Sequence, residues 1–407
     1  MKRKLLSTLI GLAMLPLAAG ALAQSKVSDD VVKIGVLTDL SGLYSDLAGL
    51  GSVLAANMAV EDFAKDHSVL GKKIEIVSAD TQNKPDVAAN KAREWYDKDK
   101  VDVIVDLVAT NVALAVMEVA DQKKKISMVS GAASTPITND KCTPVNVHWM
   151  YDTYALAVGT ADAVVGQGGK SWFFITADYA FGHALEKDAS AVVVAKGGQI
   201  VGSVKHPFPG SDFSSFLLKA QSSKAQIIAL ANAGSDTINS VKQAAEFGIN
   251  SGGQKIVPLL MFITDIHSIG LKTAQGMLLT EGFYWDQNDS TRAWSKRFFE
   301  KHQKMPTMVH AGVYGSVLHY LKAVKAAGTD DTMAVMAKMK EMPVSDPLVG
   351  KGKIREDGRM VHDMLLLEVK KPGESKSPWD YYNVKAVIPG DQAFQPLSKS
   401  TCKLVKK

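Results

Sequence analysis

The sequence predicts an α/β protein built as two doubly wound lobes, and three observations lead there. Short β-branched apolar runs alternate with stretches whose apolar residues recur at helical spacing, the pattern of a parallel sheet covered by helices on both faces. That alternation runs through two separate series. At 407 residues, 46% hydrophobic and 22% charged, the chain is globular in composition and longer than one ordinary domain.

In the first series, residues 32–38 (VKIGVLT) and 74–78 read as buried strands, with Leu54, Met58 and Phe63 marking a helix between them. Pro85 opens a helix that carries Ala88, Ala92, Trp95 and Tyr96 on one face. A strand at 101–107, a helix from Val112 and a strand at 126–129 continue the rhythm. The second series has a helix at 153–167, a strand at 171–176 and a helix at 180–196. Strands at 201–205, 227–231 and 257–260 follow, with a helix at 237–247 between the last two. After 276–280 the pattern changes to three successive helices, at 291–301, 310–327 and 332–340. A turn-rich stretch, 343–358, leads to strands at 364–369 and 381–387, so the chain is expected to pass back and forth between lobes.

The N-terminus reads as a secretion signal. Lys2, Arg3 and Lys4 precede an apolar run at 5–18, and Ala21-Leu22-Ala23 offers a small-residue cleavage site before Gln24. Pro16 and Gly20 interrupt a run already too short to span a bilayer, and no cysteine stands at the cleavage point to take a lipid. Without residues 1–23 the formal charge falls from +5 to +2, a balance that argues against nucleic acid as a partner. Cys142 and Cys402 are the only cysteines, and in an oxidising compartment they read as one disulfide. The alternative, two buried thiols, fits poorly with the polar tail around Cys402.

Motifs for catalysis and cofactors mostly fail. Gly49-Leu50-Gly51-Ser52-Val53-Leu54 looks like a dinucleotide fingerprint, but Leu54 occupies the last glycine's place and the run begins well after its strand. Gly169-Lys170-Ser171 precedes a strand and reads as a turn. There is no Gly-x-Ser-x-Gly elbow, no His-Glu-x-x-His and no cysteine metal cluster. No catalytic group, metal or cofactor is therefore expected. Three strand–helix junctions remain: Ala109-Thr110-Asn111, the run from Gly131 to Pro136, and the run from Asp178 to Gly182. Amides at a helix start and Ser or Thr hydroxyls suit a carboxylate, which needs no glycine clearance. Each junction alone could be ordinary N-capping; three in one chain favour a ligand pocket.

KIGVLTDLSG at 33–42, VDVIVDLVATN from Val101, ISMVSGAAS from Ile126 and ITADYAFG from Ile175 occur in an order that resembles the periplasmic leucine/isoleucine/valine-binding family. These are solute receptors of ATP-driven importers. The resemblance covers nearly all of the mature chain and is greatest to the branch that takes aromatic and other carboxylates. It implies two α/β lobes joined by three crossings, near 149–152, 281–285 and 359–363, the type I periplasmic binding fold. Residues 24–149 with 285–360 would form the first lobe, and 150–284 with 361–407 the second. It also implies a periplasmic location, an ABC permease in the inner membrane as partner, and a protein acting as a monomer.

Carried over position by position, a ligand carboxylate would meet the backbone N–H groups of Ala109 and Ala133 and the side chains of Thr110, Asn111 or Ser134. Leu43, Tyr44 and Asp46 would form one wall. The second lobe would offer Tyr179, Phe181, Asn232, Ala233 and the stretch from Phe262 to Asp265. Phe181 stands where the family has a tyrosine. Amino-acid binders set a second-lobe carboxylate against the ligand's ammonium, and Asp265 is the one good candidate. If Asp265 caps the following helix instead, a bound amino acid would bury an unpaired ammonium at a cost of several kcal/mol. The expected ligand is a small monocarboxylate with an apolar or aromatic body, ahead of a branched-chain amino acid. The reading from another class is an enzyme acting on a small acid in the same cleft, with Asp46, Asp178 or Asp265 as its base.

Overall fold

The computed structural model describes residues 27–406, so the expected secretion signal lies outside the described residues. The first lobe is a six-stranded sheet of β1 (Val31–Thr38), β2 (Ser68–Val69), β3 (Lys72–Asp80), β4 (Val103–Asp106), β5 (Ile126–Val129) and β6 (Asn146–His148). Its order is β2-β3-β1-β4-β5-β6, parallel throughout except for β2. Every residue of β4 and β5 is buried, which is why these strands read as unbroken apolar runs and not as alternating ones. The late helices also belong to this lobe. Met308–Ala327 packs against Gly49–Phe63 and β4, while Arg297 and Lys301 of Asp289–His302 pair with Asp62 and Glu61 at 2.8 and 3.1 Å.

The second lobe has β7 (Ser171–Ala177), β8 (Gln199–His206), β9 (Ile227–Ala231) and β10 (Lys255–Pro258) in the order β10-β9-β7-β8, all parallel. In each sheet the strand order reverses about one strand, β1 in the first lobe and β7 in the second. Open α/β sheets hold ligands beyond strand C-termini at such points. The helix expected at 153–167 is Thr153–Leu156 and Asp162–Gly166 with a π turn, Ala157–Ala161, between them. Within that turn Gly159 lets β11 (Leu278–Glu281) approach closely, since a Cβ there would lie 2.1 Å from Thr280 Oγ1.

The turn-rich stretch 343–358 contains structure that its composition hides. β12 (Val344–Asp346) and β13 (Gly350–Ile354) form a hairpin joined by β14 (Met360–Val361). β15 (Met364–Val369) then pairs antiparallel with β11 on one side and with β16 (Tyr382–Ile388) on the other. Leu279, Leu365 and Leu367 of that sheet share a core with Phe173 and Ile175 of β7, which places it with the second lobe.

The crossings are bonded to one another. His148 N donates to Gly358 O at 2.9 Å, Arg359 Nη1 donates to Tyr151 O at 2.9 Å, and His362 Nε2 donates to Met150 O at 2.6 Å. Arg359 is fully buried, 3.5 Å from Asp152 and 4.5 Å from the centre of the Phe394 ring. One boundary needs correction. Residues 361–407 were expected wholly in the second lobe, but beyond Ile388 the chain returns to the first. Asn139 Nδ2 donates to Gln395 Oε1 at 2.9 Å, and Cys402 is disulfide-bonded to Cys142. The pairing expected from the cysteine count is thus present.

Candidate functional site

The two lobes meet where their strands end. The hydroxyls of Tyr44 and Tyr179 share a hydrogen bond of 2.5 Å across the cleft, and Ser235 N donates to Leu43 O at 3.4 Å. Between the lobes lies a cavity of about 10 Å³, room for about one water molecule. Tyr44, Leu47, Val108, Gly131 and Ala133 line it from the first lobe, and Tyr151 from the first crossing. Tyr179, Phe181, Ala233, Leu260 and Phe262 face them from the second lobe. A molecule as large as a benzene ring enters only when Tyr44 and Tyr179 part.

Of the residues expected from the sequence, Tyr44, Ala133, Tyr179, Phe181, Ala233 and Phe262 line this cavity. Thr110 and Ser134 stand behind them, both buried, with their hydroxyls 3.0 Å apart. Ala109 precedes the helix Thr110–Lys123, whose first bond runs from Ala113 N to Ala109 O at 2.8 Å. The amides of its first turn have no acceptor within the helix. Asn111 is not among the residues that line the cavity, and its Oδ1 accepts from Val112 N at 3.0 Å.

Three expected contacts are spent elsewhere. Asn232 ends its strand as a ligand contact would, yet its Nδ2 donates to His206 Nε2 at 3.2 Å and its Oδ1 accepts from Thr237 Oγ1 at 2.8 Å. Asp46 pairs with Lys304 on the surface. Asp265 is buried and accepts from Phe262 N at 3.0 Å, capping the helix Ile263–Ile269. Asp178, one of the candidate bases, is exposed and bonded to His183 at 2.8 Å.

Other residues escaped sequence reading. Tyr151 donates to Gly131 O at 2.6 Å and meets the Phe262 ring edge-on at 6.3 Å. Its only signal was its place in a crossing. Val108 and Leu260 follow buried strands and could have been found as strand-end positions. Phe208 stacks on Tyr179 with ring centres 3.9 Å apart, and nothing local in the sequence announces it.

Residues 31–375 match the model of a periplasmic binding protein family. The chain belongs to that family. It is 25% identical to a Leu/Ile/Val-binding protein homolog of Brucella melitensis over 91% of this chain and 95% of that one. A periplasmic binding protein of Burkholderia mallei shares 54% identity, with a TM-score of 0.90 over 93% of this chain and all of that one. A branched chain amino acid ABC transporter periplasmic ligand-binding protein of Burkholderia xenovorans shares 42%, with a TM-score of 0.82 over 92% and 99%. The resemblance to the leucine/isoleucine/valine-binding proteins and the type I fold that it implied both hold.

The cleft of this periplasmic binding protein has a marked electrostatic character. None of the residues lining the cavity is basic, and buried carboxyls act on two of them, Asp236 on Tyr44, and Asp106, Glu281 and Asp265 on Tyr151. Burial raises Asp106 to about 6 and raises Asp236 and Asp265 to about 7. Glu281 is pushed well up by the same cause. The side chains that line the cavity offer phenolic hydroxyls, rings and aliphatic groups.

Asp265 gives a direct check. In the folded protein it holds its proton up to about pH 7, whereas the unfolded chain releases it near 4. Its contribution to stability is therefore present at low pH and lost as pH rises towards 7. Asp265→Asn keeps an acceptor for Phe262 N without a titrating charge. Its melting temperature relative to wild type should be higher at pH 8 than at pH 5, as differential scanning calorimetry would record. An unchanged difference would show that the carboxyl does not titrate in this range.

Proposed function

We propose that this periplasmic binding protein captures a small monocarboxylate with an apolar or aromatic body and presents it to an ABC permease. One observation carries the reading: five aromatic rings and no basic group line the cavity, while the carboxyl that the sequence offered to an ammonium, Asp265, is committed to the amide of Phe262. The ligand's body would lie among Tyr44, Tyr151, Tyr179, Phe181 and Phe262. Its carboxylate would turn towards the wall formed by Ala133, behind which the Thr110 and Ser134 hydroxyls and the first-turn amides supply donors. A ligand touching both lobes binds the closed form better than the open one, and that difference is what closes the hinge.

A branched-chain amino acid is the second reading, favoured by the 42% identity to the branched chain amino acid ABC transporter periplasmic ligand-binding protein of Burkholderia xenovorans. A thermal-shift panel of benzoate, 4-hydroxybenzoate, leucine and valine against wild type, Thr110→Val and Asp265→Asn separates the two. Aromatic acids should stabilise wild type and Asp265→Asn alike. Thr110→Val should weaken them by about 1–3 kcal/mol, because a buried charged acceptor is left short of one bond. Stabilisation by leucine or valine alone, abolished in Asp265→Asn, would overturn the ligand assignment and leave the receptor role standing. Chemical conversion of a bound acid, followed by mass spectrometry, would favour the enzyme instead.

A further inference from the structure

We propose that residues 389–406 act as a fourth tether across the hinge, anchored covalently, which limits how far the lobes open. The segment is held at both ends. At its start β16 is locked into the second-lobe sheet, with Ile388 opposite Met364. At its end Cys402 is bonded to Cys142 of the first lobe. Between these anchors it lies on the third crossing. Gly390 N donates to Asp363 Oδ1 at 2.9 Å, and a Cβ at Gly390 would lie only 2.7 Å from His362 O, so backbone runs directly against backbone.

Farther along, the buried Phe394 ring packs on Arg359 at 4.5 Å and on His362 at 5.6 Å, and Arg355 Nη1 donates to Gln395 O at 2.7 Å. A hinge works by a few residues absorbing changes in φ and ψ. Here one of those crossings is overlaid by a segment whose ends cannot slip. Opening must rotate both together or strip Phe394 from Arg359. The tether restrains opening whichever solute the cleft takes.

Full-length Cys142→Ser/Cys402→Ser and, with the disulfide intact, Phe394→Ala test this by small-angle X-ray scattering and amide hydrogen exchange without added solute. Both variants should show a larger radius of gyration than wild type. Amides in 149–152 and 359–363 should exchange at least tenfold faster, while those of β4 and β9 keep their wild-type rates. Scattering and crossing amides unchanged in both variants would overturn the proposal. So would an equal rise in β4 and β9, which would make the tail a contributor to global stability alone.

Discussion

Arg359→Met should destabilise the protein by about 3–5 kcal/mol, the usual consequence of removing one partner from a buried ion pair. The guanidinium is fully buried and donates to Tyr151 O and to Met360 O, at 2.9 and 3.0 Å, as well as facing Asp152. Methionine fills much of the volume over Phe394 but leaves two carbonyls and the Asp152 carboxylate without that partner. Asp152 keeps its bond from Ala155 N at 2.8 Å, which offsets part of the loss. Burial already raises the Asp152 pKa, and loss of Arg359 raises it further. The variant's deficit should accordingly be smaller at pH 5 than at pH 8, because protonation of Asp152 relieves the unpaired charge. Urea unfolding at both values measures this, and Asp152→Asn/Arg359→Met should recover part of the loss. A single variant within 1 kcal/mol of wild type at pH 8, less than any loss expected from breaking the pair, would show that the guanidinium does not hold the crossings together.

Gly182→Ala is the second large effect, and it joins stability to binding. A Cβ at this position would stand 2.1 Å from Ala177 O, a backbone atom fixed at the end of β7, so the helix Ala180–Ala195 must shift. Overpacking of this kind costs about 1–3 kcal/mol. Phe181 is its chain neighbour and Tyr179 lies just before the helix, so the displaced turn carries two rings out of the cavity wall. The variant should melt lower and also lose the shift that aromatic acids give wild type. Gly166→Ala is the control, for an added Cβ there meets nothing within 4 Å and the backbone is not left-handed. Equal behaviour of the two variants would refute the steric account.

Sequence legibility followed solvent exposure. Strands buried on both faces, such as β4, β5 and β9, announce themselves as apolar runs, and β9 was placed residue for residue at 227–231. The hairpin of β12 and β13 was missed because GKGKI presents glycines and lysines in an exposed strand, a composition that reads as a turn. At the site, strand ends gave the right neighbourhood but not the side-chain direction. Ala133 and Asn232 both follow a buried strand; one lines the cavity and the other turns to His206, a choice made by a residue on a different strand. The tail was misassigned because burial of Phe394 depends on Arg359, and that contact exists only once the crossing has formed.

The lack of a basic residue among those lining the cavity bears on how this receptor would meet a changing environment. Long-range attraction between charges fades over about 10 Å at 0.1 M salt and about 3 Å at 1 M. A site built from rings, hydroxyls and amides has almost no such attraction to lose. Its grip should vary little between dilute and saline surroundings. With no cation lining the site, discrimination between fitting and ill-fitting molecules should reside mostly in how slowly each departs.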